Sequence, residues 1–177
     1  MQIAFIGIGS NIGDRLQFCQ KAVAALQQHP EIHLKKISSL YETAPVDFLE
    51  QDYFYNAVVS IKTSLSPEQL LGACQEIEVR SGKKIVISKG PRTLDLDLLF
   101  YGQVILDTPD LILPHPEIAR RLFVLIPLAE IAPDCMHPVK SCSMRTLLSA
   151  FQPDEFKTVD LRFETAWEKI PLESKTG

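Results

Sequence analysis

Lys89-Gly90-Pro91-Arg92-Thr93-Leu94-Asp95-Leu96-Asp97-Leu98-Leu99-Phe100-Tyr101-Gly102 carries the clearest structural pattern in this chain. It opens on a Gly-Pro corner with one cation, Arg92, and continues as a regular alternation of apolar and polar residues. Alternation predicts a strand, because successive side chains leave a strand on opposite faces. Leu94, Leu96 and Leu98 then share one face, and Asp95 and Asp97 share the other. Two residues advance a strand by about 6.6 Å, so the carboxylates are neighbours on a half-buried surface. Like charges there repel each other and are costly to desolvate. A divalent cation relieves both problems, and Mg²⁺ typically takes one or two carboxylates plus substrate phosphate oxygens. The plainer alternative is a solvated strand face with an Arg92–Asp95 ion pair.

Upstream, Ile3 to Ile8 is an apolar run suited to a central strand, followed by a helix from about Asp14 to Gln27. Leu16, Cys19, Val23 and Leu26 recur at helical spacing there, and Pro30 ends the pattern. The glycines between strand and helix read G-x-G-x-x-x-G, one residue too long for a dinucleotide fingerprint. Ile32 to Tyr41 predicts a second strand whose alternation slips at Lys35-Lys36, the mark of a bulge or strong twist. Thr43 to Asp52 is a long connection. Tyr53 to Thr63 predicts a third strand, with Tyr55, Ala57, Val59 and Ile61 on one face and Phe54, Asn56, Val58 and Ser60 on the other.

Ser66-Pro67-Glu68-Gln69 predicts a helix start, with Ser66 as N-cap and Gln69 completing a capping box. Leu70, Leu71, Cys74 and Ile77 form its apolar stripe, and Gly82 closes it. Lys83 to Lys89 is a loop with three lysines around Ile85-Val86-Ile87, expected to close over bound phosphates. After the opening stretch, Gly102-Gln103 turns into a short hairpin strand, Val104 to Leu106. A helical turn near Arg120-Arg121 and short helices at Val124–Ile131 and Ser143–Phe151 are expected next, then a strand at Thr158–Phe163. The order β-α-β-β-α-β predicts an α+β sandwich, an antiparallel sheet with two helices on one face.

The chain has 177 residues, which suits one domain able to bury a proper core. A formal net charge of −4 argues against a nucleic-acid-binding surface. Cys19, Cys74, Cys135 and Cys142 form no C-x-x-C pair, and the first two fall at apolar helical positions, as buried thiols do. No apolar run reaches membrane-spanning length, and the first residues lack the basic region of a signal peptide. A cytoplasmic protein is expected.

Gly90-Pro91-Arg92-Thr93-Leu94-Asp95-Leu96-Asp97-Leu98-Leu99 closely resembles the signature of the 6-hydroxymethyl-7,8-dihydropterin pyrophosphokinase family, enzymes of folate biosynthesis. The resemblance runs from about Ile3 to about Leu148. It implies a ferredoxin-like βαββαβ sandwich with an extra hairpin strand and short C-terminal helices. It also implies a pyrophosphokinase domain over residues 1–151 and an extension of unknown role over 152–177. The implied reaction moves a diphosphate from ATP to the hydroxymethyl oxygen of the pterin and leaves AMP. Asp95 and Asp97 would hold two Mg²⁺ ions, with Arg92 and Lys83 among the catalytic residues.

The resemblance further places the pterin against Gly9, Thr43, Val46, Phe54, Asn56, Arg121 and Phe123. Phe54 and Phe123 would sandwich the ring while Asn56, both donor and acceptor, reads its edge. ATP would meet Gln75, Glu78, Arg92, Leu98, Ile112 and His115, with Leu98 and Ile112 acting through backbone. For each the plain reading is available: core packing for the phenylalanines, a solvated helix face for Gln75 and Glu78, a cap for His115. The chain departs from the family pattern in the Lys83–Lys89 loop, where lysines replace arginines and a tryptophan, and at Pro116 and Asp110. Two rivals remain: a metal-dependent phosphodiesterase using the same D-x-D, and a non-catalytic domain binding a small regulatory ligand. Small-molecule substrates, a monomeric state and no nucleic-acid or membrane partner are expected.

Overall fold

A six-stranded antiparallel sheet forms the middle layer of the protein in the computed structural model, which describes residues 1–45, 52–82, 92–163 and 167. In chain order the elements are β1 (Gln2–Ser10), α1 (Arg15–Gln28), β2 (Ile32–Ile37), β3 (Leu40–Thr43), β4 (Phe54–Thr63) and α2 (Pro67–Arg80). Then come β5 (Asp95–Tyr101), β6 (Leu106–Asp107), β7 (Ile112–Leu113), α3 (Leu122–Ile131), α4 (Met144–Leu148) and β8 (Val159–Phe163). The strands lie in the order β5-β1-β4-β3-β8, and β2 pairs the far half of β4.

β2 and β3 are the two halves of the strand expected over Ile32–Tyr41. The expected slip is present, as a register shift between Leu34 and Lys36. A break at Ser38-Ser39 was not expected. There Ser38 Oγ accepts the Val58 N–H at 2.9 Å, and the Ser38 carbonyl accepts the Trp167 indole N–H at 2.6 Å. The Ser38 N–H still donates to Val58 O at 2.9 Å, and bonds to a side chain and to a distant residue satisfy the groups beside it, which keeps buried polar groups paired through the break.

α1 and α2 cover one face of the sheet. Asp14 caps α1 by accepting the Gln17 N–H. The Ser66–Gln69 capping box is complete at the start of α2, worth about 0.5–2 kcal/mol relative to alanine at the cap. Between helices and sheet lie Ile6, Leu26, Ile61, Leu70, Leu94, Leu96 and Leu98, all buried. Each such side chain stabilises the fold by about 1.5–3 kcal/mol. Cys19 and Cys74 are buried in this layer, and burial pushes both thiols up to about 12, so they are inert hydrophobes.

α3 and α4 cover part of the opposite face, packing Leu125, Leu128, Ile131 and Met144 on Phe5, Val58, Leu99 and Phe100. β5 reaches both layers because of a bulge. Ile6 pairs Leu98 but Phe5 pairs Phe100, so Leu99 is an extra residue in β5. The slip sends Phe100 under α3 and Tyr101 to the α2 side, where its hydroxyl donates to the Leu65 carbonyl.

The expected hairpin strand at Val104–Leu106 is not in this sheet. Gly102, at φ 55°, turns the chain after its N–H has donated to Ile3 O at 2.7 Å. The outer edge of β5 is taken by other partners: the Leu96 N–H donates to the Glu78 carboxylate, and the Leu99 carbonyl accepts the His115 N–H. The chain therefore leaves the edge, and β6 pairs β7 as a separate ribbon. The strand expected at Thr158–Phe163 is present as β8, laid along β3 with Thr43 opposite Val159.

His137 sits under the α4 end of this layer, 6% exposed and edge-on to Phe100 at 5.5 Å. Its Nδ1 accepts from the Val139 and Lys140 N–H groups, both at 3.3 Å. Burial first, and the Lys140 charge second, lower its pKa from the ordinary 6.5. The unfolded chain then binds the proton more readily, so stability is complete above about pH 6.5 and falls as the pH drops toward the lower folded value. Melting temperatures at pH 7.5 and pH 5.5 should therefore separate more for the wild type than for His137→Asn. Equal shifts would assign the acid sensitivity elsewhere.

Candidate active site

α3 leaves half of its face of the sheet uncovered, and the polar side chains singled out in the sequence meet there. The recess spans about 710 Å³ of space, open solvent at its mouth included. Its floor is β1, β4 and β5; its walls are Thr43–Pro45, Arg92 and the start of α3. Gly9, Thr43, Phe54, Asn56, Arg92, Asp95, Asp97, Arg121 and Phe123 all line it.

Register explains the convergence. Gly9 stands between Asn56 of β4 and Asp95 of β5, and Gly7 stands between Val58 and Asp97. A Cβ on Gly9 would meet Asn56 Oδ1 at 3.3 Å and the Asp95 Cβ at 3.9 Å. Glycine there lets an amide and a carboxylate from both neighbouring strands approach over the floor. Asn56 is 6% exposed and donates through Nδ2 to Thr43 Oγ1 at 2.7 Å, which fixes its amide at the recess wall.

Arg92 pairs with Asp95 at 3.0 Å, so the plain ion-pair reading holds alongside any other role. Its guanidinium also lies 5.7 Å from the Phe54 ring centroid, and its Nε is buried with no hydrogen-bond partner among the described residues. A guanidinium with donors to spare is suited to anionic oxygens. Across the recess Arg121 lies 5.6 Å from the Phe123 ring centroid and 3.5 Å from a Glu117 carboxylate oxygen. Each aromatic wall therefore has a cation beside it.

Two residues that hold Arg92 were not singled out in the sequence. Asn11 Oδ1 accepts the Arg92 N–H at 2.8 Å, and Ser10 Oγ donates to the Thr93 carbonyl at 2.6 Å. Both are buried. Short polar side chains directly after a core strand, where turns hydrogen-bond their own surroundings, were the available signal.

Of the residues assigned to ATP, Arg92 lies in the recess, and the others are found on or beside the outer edge of β5. Glu78 is not on a solvated helix face: it is 6% exposed and accepts the Leu96 N–H at 2.7 Å. Gln75, one turn earlier, is exposed. His115 is half-buried, its N–H donates to Leu99 O at 2.9 Å, and its Nδ1 accepts the Glu117 N–H at 3.3 Å, as a capping group would. Ile112 is exposed on β7, and Leu98 is buried with its side chain in the helix-covered core. Val46 and Lys83, with the rest of the Lys83–Lys89 loop, lie outside the described residues.

Asp95 and Asp97 suit a hard divalent cation that keeps open positions for substrate oxygens. Among the described residues no three His, Cys, Asp or Glu side chains converge to enclose a metal by themselves. A carboxylate pair beside a guanidinium donor is chemistry suited to a divalent cation and to phosphate oxygens.

Comparison with known proteins specifies the class. Residues 5–133 match the family model for 7,8-dihydro-6-hydroxymethylpterin-pyrophosphokinase. The chain belongs to that family. It is 50% identical over 129 residues to the 2-amino-4-hydroxy-6-hydroxymethyldihydropteridine pyrophosphokinase of Bacillus subtilis, covering 73% of this chain and 77% of the relative. The enzyme of the same name from Aquifex aeolicus is 38% identical over 154 residues, 87% of this chain and 92% of the relative. The folic acid synthesis protein fol1 of Pneumocystis carinii is 42% identical over 158 residues; the match spans 89% of this chain but only 21% of that protein. Wild-type HPPK-DHPS of Plasmodium falciparum superposes with a TM-score of 0.67 at 16% identity, over 88% of this chain and 46% of that one. That likeness shows the α+β fold alone. Among the described residues no helix is long and apolar enough to cross a membrane.

Proposed function

We propose that the recess binds 6-hydroxymethyl-7,8-dihydropterin and that the chain transfers a diphosphate to it from ATP, the folate-biosynthetic activity of its family. The observation that carries this reading is the meeting, on one uncovered patch of sheet, of an aromatic–amide recess with a carboxylate pair and a cation. Phe54 and Phe123 would hold the pterin ring from its two sides, and Asn56, oriented by Thr43, would read its hydrogen-bonding edge. Asp95 and Asp97 would hold two Mg²⁺ ions, which when bound supply charge neutralisation for the phosphate oxygens and the leaving nucleotide.

Arg92, kept in place by Asn11, would orient the transferred phosphates with its spare donors. Arg121 would face the same oxygens from the other wall. Gln75, Glu78, Leu98, Ile112 and His115 would take the nucleotide beside the outer edge of β5, Leu98 and Ile112 through backbone groups. Lys83 and Val46 would act from the connections that follow α2 and β3 in the chain. Catalysis then rests on positioning and charge neutralisation, with no dedicated general base. The strand order β5-β1-β4 with β2 and β3 beyond supports the ferredoxin-like arrangement. A cytoplasmic monomer acting on small molecules is the setting this reading implies.

³¹P NMR of the purified chain with ATP, Mg²⁺ and the pterin should show AMP and a pterin diphosphate. ADP or free diphosphate as the products would instead support simple hydrolysis and the phosphodiesterase reading.

A further inference from the structure

The strand β8 pairs the strand that bears Thr43 and is linked by ion pairs toward Tyr53, directly before Phe54. Val159 stands opposite Thr43, and Thr43 holds the Asn56 amide. Opposite Asp160 is Glu42, whose carboxylate lies between two guanidiniums: Arg162 of β8 at 2.7 Å and Arg15 of α1 at 3.0 Å. Arg15 also donates to the Tyr53 carbonyl at 2.6 Å and lies 4.0 Å from the Tyr55 ring centroid. Tyr53 directly precedes Phe54. From Arg162 the contacts therefore run through Glu42 to Arg15 and on to the backbone that aims the Phe54 ring.

β3 needs such support. It pairs β4 over three residues, Tyr41 to Thr43, and would otherwise present an unpaired outer edge. The same C-terminal segment reaches the start of β3, where the Trp167 indole N–H holds the Ser38 carbonyl at the break in the strand. The family model match ends at residue 133, so this segment lies beyond it.

We infer that the C-terminal segment is a positioning element for the pterin subsite, with Arg162 as a positioning residue acting through Glu42 and Arg15. The inference rests on the pterin reading of the recess given above. Arg162 is half-exposed at 46% and Glu42 is 13% exposed, so solvent screens the pair only in part and the effect is moderate rather than absolute.

Steady-state kinetics of the full-length chain test it. Arg162→Ala should raise the KM for the pterin by about threefold to tenfold, the range for coupling through packed networks. The KM for ATP and kcat should stay within about twofold, since the β5 edge is untouched. Arg162→Lys should recover part of the loss by restoring one cation beside Glu42. Trp167→Phe keeps an aromatic ring of smaller size and removes the donor to Ser38, and it should give the same split if Arg162→Ala fails to fold. Equal rises in both KM values would make the segment a general stabiliser and overturn the inference. An unchanged pterin KM in Arg162→Ala, with a raised one in Phe54→Ala, would overturn the inference and leave the pterin reading standing. An unchanged pterin KM in both would remove the pterin reading and the inference together.

Discussion

Replacing Asp97 by alanine is expected to lower turnover by on the order of 10²-fold or more while leaving the protein folded. The side chain lies on the uncovered face of β5, opposite Gly7, and not among the leucines that pack on α1 and α2. It is half-buried, so its removal opens no core cavity. What disappears is one anionic oxygen pair from a site proposed to neutralise phosphate charge. Asp97→Asn should be nearly as inactive, because an amide keeps the shape and loses the charge that binds a hard cation. Melting temperature should change little, since Asp97 lies outside the leucine-packed core. Binding of the pterin alone should change little. A variant that keeps Mg²⁺-dependent turnover, or one that unfolds, would show that the carboxylate serves the fold and would remove the centre of the proposed mechanism.

Phe54→Ala should weaken pterin binding by about 1–3 kcal/mol, from lost stacking and lost apolar contact. Phe54 begins β4, pairs Thr43, and lines the recess with Arg92 over its ring. ATP affinity should fall less, because the residues assigned to the nucleotide other than Arg92 lie across β5 from it. Titration calorimetry with each ligand separates the two. Equal losses for both would reduce Phe54 to a packing residue.

Local chemistry made much of this legible in advance. The start of α2 was readable because a capping box satisfies its own backbone within four residues. The shared face of Asp95 and Asp97, and that of Phe54 and Asn56, followed from strand periodicity alone. The break between β2 and β3 was hidden, because the groups that satisfy it belong to β4 and to Trp167, 129 residues away. The misplaced hairpin strand has a similar cause: whether a strand edge is open depends on what else has claimed it, and Glu78 and His115 had. Glu78 itself illustrates the limit for the site. Helical spacing gave it a side of α2, but a backbone N–H from β5 decided that this side is buried. That Phe123 faces the recess with Phe54 came from family resemblance, since α3 and β4 are joined by nothing that periodicity can see.

The extra residue in β5 acts on the strand as an edge dislocation acts on a crystal row. On its N-terminal side the parity of positions assigns carboxylates to the open patch; on its C-terminal side the parity is reversed. Phe100 then packs into the layer beneath α3, edge-on to Phe5 and His137, and Tyr101 meets the Leu65 carbonyl that takes its hydroxyl. Had the row run through unbroken, the phenol would lie under α3 and the phenyl ring would face that carbonyl. One defect thus lets two neighbouring halves of a single strand keep separate accounts of inside and outside. Sequence drift in the lower half can repack the layer beneath α3 without rotating either aspartate away from the substrates.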